Sequence, residues 1–225
     1  MKKLIALSTF LIIAIILVFL ITKKPAADKP LPSVVKIQQA SESPESQNPI
    51  GQWGLGEASW SALPAETTKG LKKFTISLWV KTIETTSNDV YWNRPALIGF
   101  NTSGCNSGDF GIITNKGFLG MWSGLTNQQE CDNHSLTSSK INDNNWHHVV
   151  ATNNGSTIKL YLDGQDTQTD LPSGLALADY AFYVGANHMY DTSVNYFHQG
   201  NLKNVLIYNR ALSNAEILDL YSQQY

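Results

Sequence analysis

The stretch NNWHHVVATNNGSTIKLYLDGQ, Asn144 to Gln165, decides how the chain is read. In WHHVVAT, successive side chains of an extended strand point to opposite faces, so Trp146, His148 and Val150 share one side and His147, Val149 and Ala151 the other. The two histidines therefore cannot reach one metal ion, and the HExxH spacing that a zinc helix needs is absent. Asn153 to Ser156, NNGS, makes a loop to the next alternating run, TIKLYL. Asp163 and Gly164 then lie between TIKLYL and QDTQT, and Asp-Gly between alternating runs signals a tight hairpin because both turn residues need positive φ. The stretch reads as consecutive antiparallel strands and not as a catalytic constellation.

The same period of two recurs on either side. In FTISLWVK, Phe74, Ile76, Leu78 and Val80 fall on one face and Thr75, Ser77, Trp79 and Lys81 on the other, which predicts a strand with one buried face. ALIGF at Ala96 to Phe100 and the pair within DFGIITNKGFLGMW extend the pattern, the pair turning at Asn115, Lys116 and Gly117. SLTSSKI, AFYVGAN and NLKNVLIYN read as further strands. Near the end, Ser213 followed by Glu216 has capping-box spacing, and Ile217, Leu220 and Tyr221 give an apolar stripe for a helix docked on the sheet. The expected fold is all-β, a two-sheet antiparallel jelly-roll sandwich with a short C-terminal helix.

Before this domain the chain changes character. Leu4 to Thr22 is an uncharged apolar run, long enough as a helix to cross roughly 28 Å of bilayer. It reads as an uncleaved membrane anchor or a signal peptide, and Lys24 and Pro25, standing where a cleavage site needs a small residue, weigh toward the anchor. Residues 23–52 hold five of the eight prolines and no sustained apolar period, as a solvated stalk does; a flexible coil of this length averages roughly 30 Å end to end. The expected division is 1–22 anchor, 23–52 linker and 53–225 folded domain.

Cys105 and Cys131 are the only cysteines, both in polar, Gly- and Asn-rich surroundings, which suits a disulfide better than two buried thiols. A bridge there would close a loop worth about 3 kcal/mol in the chain-entropy model. It would also place the domain on the extracytoplasmic side of a single-pass membrane protein, or in the secreted form if the leader is cut. The net charge of -2 and the lack of a basic cluster in the folded part exclude the electrostatic footprint of a nucleic-acid binder.

FTISLWVKT, then NNWHHVVATNNGSTIKLYLDGQ, then FHQGNLKNVLIYNRALSNAEILDLY occur in the order found in laminin-G-like, concanavalin A-like lectin/glucanase jelly-roll domains, and the resemblance covers roughly Leu71 to Tyr221. It implies a binding domain for carbohydrate or a cell-surface protein, in some members with calcium. Relatives often carry Gly-x-Ile-Asp where this chain reads Gly200, Asn201, Leu202 and Lys203, so any role of that aspartate does not carry over. The jelly-roll glycosidases resemble one another in a Glu-x-Asp-x-x-Glu strand motif that sets two carboxyls about 5 Å apart. None of the seven glutamates here has that spacing, and neither a GxSxG elbow nor a phosphate loop is present, so a non-enzyme is expected.

Two places could carry binding. Tyr91, Trp92, Asn93 and Arg94 combine aromatic faces with amide and guanidinium donors, as a sugar site requires, although the same aromatics could pack inward. In NHMYDTSVN, Asp191 with neighbouring amides such as Asn195 offers hard oxygen ligands for calcium, on a single carboxylate. No cofactor is required for folding. The expected partners are a glycan or a cell-surface protein, and the membrane through the N-terminal helix; the alternative functions are a structural or adhesive spacer, or a glycan-active enzyme working without the paired carboxylates.

Overall fold

The computed structural model describes residues 49, 51–55, 60–101, 106–124, 133–173, 176–188, 194–195 and 198–223. The chain divides into two compact units, Met1–Ser43 and Pro44–Tyr225, and every described residue lies in the second. The apolar run at 4–22, most of the linker and both cysteines fall outside the described residues, as does Asp191; among the described residues no helix is long and apolar enough to cross a membrane.

Two six-stranded sheets form a sandwich, and every strand pairing is antiparallel. The first sheet has the order β1 (Gly51–Leu55), β14 (Gly200–Tyr208), β3 (Phe74–Thr82), β8 (Trp146–Asn153), β9 (Thr157–Leu162), β10 (Gln165–Pro172). The second runs β2 (Ser61–Ala62), β11 (Tyr183–Val184), β4 (Ala96–Phe100), β5 (Phe110–Asn115), β6 (Phe118–Ser123), β7 (His134–Lys140). A ribbon of β12 (Asn187–His188) and β13 (Val194–Asn195) belongs to neither sheet, and the described residues also form two α-helices, α1 (Ala65–Thr68) and α2 (Asn214–Ser222). Because β1 already pairs with β14 at Gly51 and Gln52, the folded domain begins inside the stretch read as linker.

Alternation builds the core. Phe74, Ile76, Leu78 and Val80 of β3 and Val149 and Ala151 of β8 meet Ile98, Phe110, Ile112 and Met121 of the second sheet, all buried. The other face of β3 departs from expectation: Thr75, Ser77 and Trp79 are buried too. The reason is non-local, since α2 and the segment before it dock there. Ile217 and Leu212 pack on Val150, Tyr161 and Tyr208, and Thr75 Oγ1 donates to Arg210 O at 2.8 Å while accepting from Leu212 N at 2.9 Å. The capping box at Ser213 and Glu216 forms as its spacing predicts, satisfying otherwise orphaned N–H groups at the helix start.

Both hairpin turns have two residues at positive φ, Lys116 and Gly117 at 53° and 83° and Asp163 and Gly164 at 51° and 77°. Asp163 does more than turn the chain. Its carboxylate accepts from His148 N at 2.8 Å and pairs with His147 Nδ1 at 2.8 Å, while its own N–H donates to His148 O at 2.8 Å. Asp163→Ala is expected to cost about 3 kcal/mol, combining two lost charge-assisted bonds with loss of the tolerance for positive φ that Asp and Asn, but not Ala, gain from a short polar side chain, and Asp163→Asn about 1 kcal/mol. Urea unfolding of the two variants checks the order; equal losses would mean that the turn geometry alone matters.

Candidate functional site

The second sheet turns its core residues inward and leaves an outer face. Register aligns Ala62, Tyr183, Gly99, Gly111, Trp122 and His134 in one row across all six strands. A second row holds Ala96, Ile113, Gly120 and Leu136. Glycine at 111 and 120 is what lets large side chains lie flat on this face. A Cβ at Gly111 would overlap Trp122 Nε1, and one at Gly120 would overlap Leu136 Cδ2.

Over this floor lies a short 3-10 turn, Tyr91–Asn93, closed by Asn93 N donating to Val90 O at 3.0 Å. Asn88 holds it in place: its Oδ1 accepts from Val90 N at 2.8 Å, its N–H donates to Asn115 Oδ1 at 3.3 Å, and its carbonyl accepts from Arg94 Nε at 2.6 Å. Tyr91 and Trp92 rest on Ala96, Ile113 and Trp122 yet stay half-exposed. Tyr91 also stacks on His134, and the Arg94 guanidinium lies 3.7 Å from the Tyr91 ring centroid. Burial lowers the Arg94 pKa from its ordinary value, with Tyr91 acting in the opposite direction. At the far end of the first row, Trp60 is exposed and packs on Tyr183, with ring centroids 5.5 Å apart.

Packing and exposure thus coexist in Tyr91 and Trp92, and the four residues singled out in the sequence come together. Three buried polar atoms there have no hydrogen-bond partner: Asn93 Oδ1, Arg94 Nη1 and Trp122 Nε1. A finished core rarely leaves such atoms unmet, each costing about 1–3 kcal/mol. Trp122, His134, Tyr183 and Trp60 were not singled out. Their one sequence signal is Trp122 two residues after Gly120 in a strand facing Gly111.

The histidine pair is confirmed as sheet structure. His148 is buried between Ser77, bonded at 2.8 Å, and Trp79, stacked at 5.0 Å between centroids. His147 sits between Asp163 and Asp143, and hydrogen bonding to Asp163, with a smaller contribution from Asp143, raises its pKa. For the calcium candidate, Asn195 pairs through its backbone with Asn187, while Asp191 and the Asn195 side chain lie outside the described residues. Among the described residues no group of three His, Cys, Asp or Glu could hold a metal ion.

The sandwich, with a C-terminal helix roofing one sheet and an aromatic face on the other, can be set beside known families. Residues 55–218, well over half of the chain, match the family model of the concanavalin A-like lectin/glucanases superfamily. The chain belongs to that superfamily. No curated protein matches its sequence. Among solved structures similar to this superfamily member, CBM40 of the Ruminococcus gnavus IT-sialidase has a TM-score of 0.60 at 19% identity, covering 77% of this chain and 99% of that one. Domain 4 of an extracellular arabinanase from Geobacillus stearothermophilus, solved in complex with arabinotriose, has a TM-score of 0.52 at 19% identity, covering 76% of each chain. The binding domain of Paraclostridial Mosquitocidal Protein 1 has a TM-score of 0.54 at 14% identity, covering 80% of this chain and 53% of that one. At such identities the likeness is one of fold.

Proposed function

We propose that the protein is a non-catalytic carbohydrate-binding module, held on the extracytoplasmic side of a membrane by Leu4 to Thr22, and that its glycan site is the outer face of the second sheet. The observation that carries the site is a half-exposed aromatic turn, Tyr91 and Trp92, seated above orphaned polar atoms of Asn93, Arg94 and Trp122. Aromatic faces stack on the apolar faces of sugar rings, while an amide and a guanidinium match their hydroxyls. The reading is supported by structures of the same fold: that sialidase module was solved with α2,3- and α2,6-sialyllactose and the arabinanase domain with arabinotriose.

The apolar run and the Pro-rich stalk support the tether, and a Cys105–Cys131 bridge would support the compartment. A glycan array probed with the protein and with Trp92→Ala tests the site. Loss of stacking is expected to weaken binding at least tenfold, about 1.4 kcal/mol, with the fold intact. An array with no positive glycan, or equal signals from the two proteins, would favour an adhesive spacer acting through protein contacts.

A further inference from the structure

On the opposite side of the sandwich, α2 roofs only part of the first sheet. Tyr221 stacks on Trp79, centroids 5.8 Å apart, and Trp79 is buried, but Lys81, Trp146 and Lys203 beyond it are half-exposed. Register sets Asn201, Lys81 and Trp146 in one row and Lys203, Trp79 and His148 in the next. All six share the outer face, because Val80 and Leu202 between them enter the core. The Lys203 ammonium leans across β3 to lie 4.4 Å from the Trp146 ring centroid and 5.8 Å from that of Trp79. Lys81, paired in register with Trp146 and half-exposed, puts a second cation on the same outer face. Among the described residues neither has a carboxylate in ion-pair range: the acidic partners present serve Lys69, His147, Lys159 and Arg210. Lys81 also lines a groove of about 620 Å³ together with Asn144, Gln199 and Asn201; Trp146, its register partner, and Lys203 stand outside that lining.

We propose that this groove is a second saccharide site, selective for a sugar that carries a carboxylate. Like charges on neighbouring strands are unfavourable unless an anion joins them, and a carboxylate between the two ammonium groups supplies that counter-charge. Trp146 gives the apolar surface a sugar ring needs, and the amides of the groove wall match its hydroxyls. The site stands apart from the glycan face of the second sheet and does not depend on it.

Calorimetric titration of the protein with trigalacturonate and with its methyl ester tests the proposal. The free acid is expected to bind at least tenfold more tightly than the ester, to weaken as salt screens the charges, and to lose at least tenfold in the Lys81→Gln/Lys203→Gln double variant with unchanged melting temperature. Trp92→Ala should leave this binding in place. No binding of the acid, equal binding of acid and ester, or an unaffected double variant would overturn it. Loss of acid binding in Trp92→Ala but not in the double variant would also overturn it, while leaving the second-sheet site standing.

Discussion

Acidification from about pH 7 to about pH 4 is expected to remove on the order of 5 kcal/mol of stability, in a decline that starts near pH 6, above the carboxylate range. The cause is a pair of buried imidazoles. Burial pushes His148 down to about 4, against a weaker opposing pull from Asp163, and burial pushes His198 down to about 4, against Glu84. Each ring is neutral in the fold down to that value but takes a proton in the unfolded chain below about 6.5. Stability from these two groups is thus full above the unfolded value and falls as pH drops toward 4, by about 3 kcal/mol per ring. His147 runs the other way: its pKa is raised, chiefly by Asp163, so its contribution is present below 6.5 and lost as pH rises through the folded value. Urea unfolding across this range should show the decline, and His148→Gln, which keeps a polar group for Ser77 but cannot charge, should roughly halve the slope. Stability that is level between the two pH values would contradict the account.

Gly111→Ala is expected to cost about 1–3 kcal/mol and to abolish glycan capture. The added methyl would meet the Trp122 indole at Nε1 and two ring carbons, in a residue with no exposed surface to retreat into. Backbone strain is not the cause, since Gly111 is not among the positive-φ glycines. Displacing Trp122 removes the floor on which Tyr91 and Trp92 rest, so binding should fail even where the variant remains folded. Thermal melting combined with binding separates the two effects. A variant that is destabilised yet binds normally would mean that the glycan is held elsewhere.

The parts of the fold that are local in sequence were legible from it. The strands at FTISLWVK and WHHVVAT, the Asp163–Gly164 turn and the Ser213–Glu216 cap each depend on signals within a few residues, and each of these elements forms where it was read. Burial of Thr75, Ser77 and Trp79 was not legible, because it is imposed by a helix more than 130 residues away in the chain. β2, at two residues, is too short to show a period, and of the strand read in AFYVGAN only Tyr183–Val184 pairs in the sheet. The aromatic turn was visible as composition, but its floor was not. Tyr183, Gly99, Gly111, Trp122 and His134 become neighbours only through the registers of five strands, which no single segment encodes.

The most direct test of a glycan site on the second sheet uses the six tryptophans as reporters. In the nitrogen-15 NMR spectrum of the protein, each indole N–H gives one signal, assignable by single Trp→Phe substitutions. On titration with a neutral glycan found positive on the array, the signals of Trp92 and of Trp122 beneath it should shift together, while that of Trp79 on the opposite sheet stays in place. A shift confined to Trp79 and Trp146, or saturable binding that leaves Trp92 and Trp122 unmoved, would contradict the assignment.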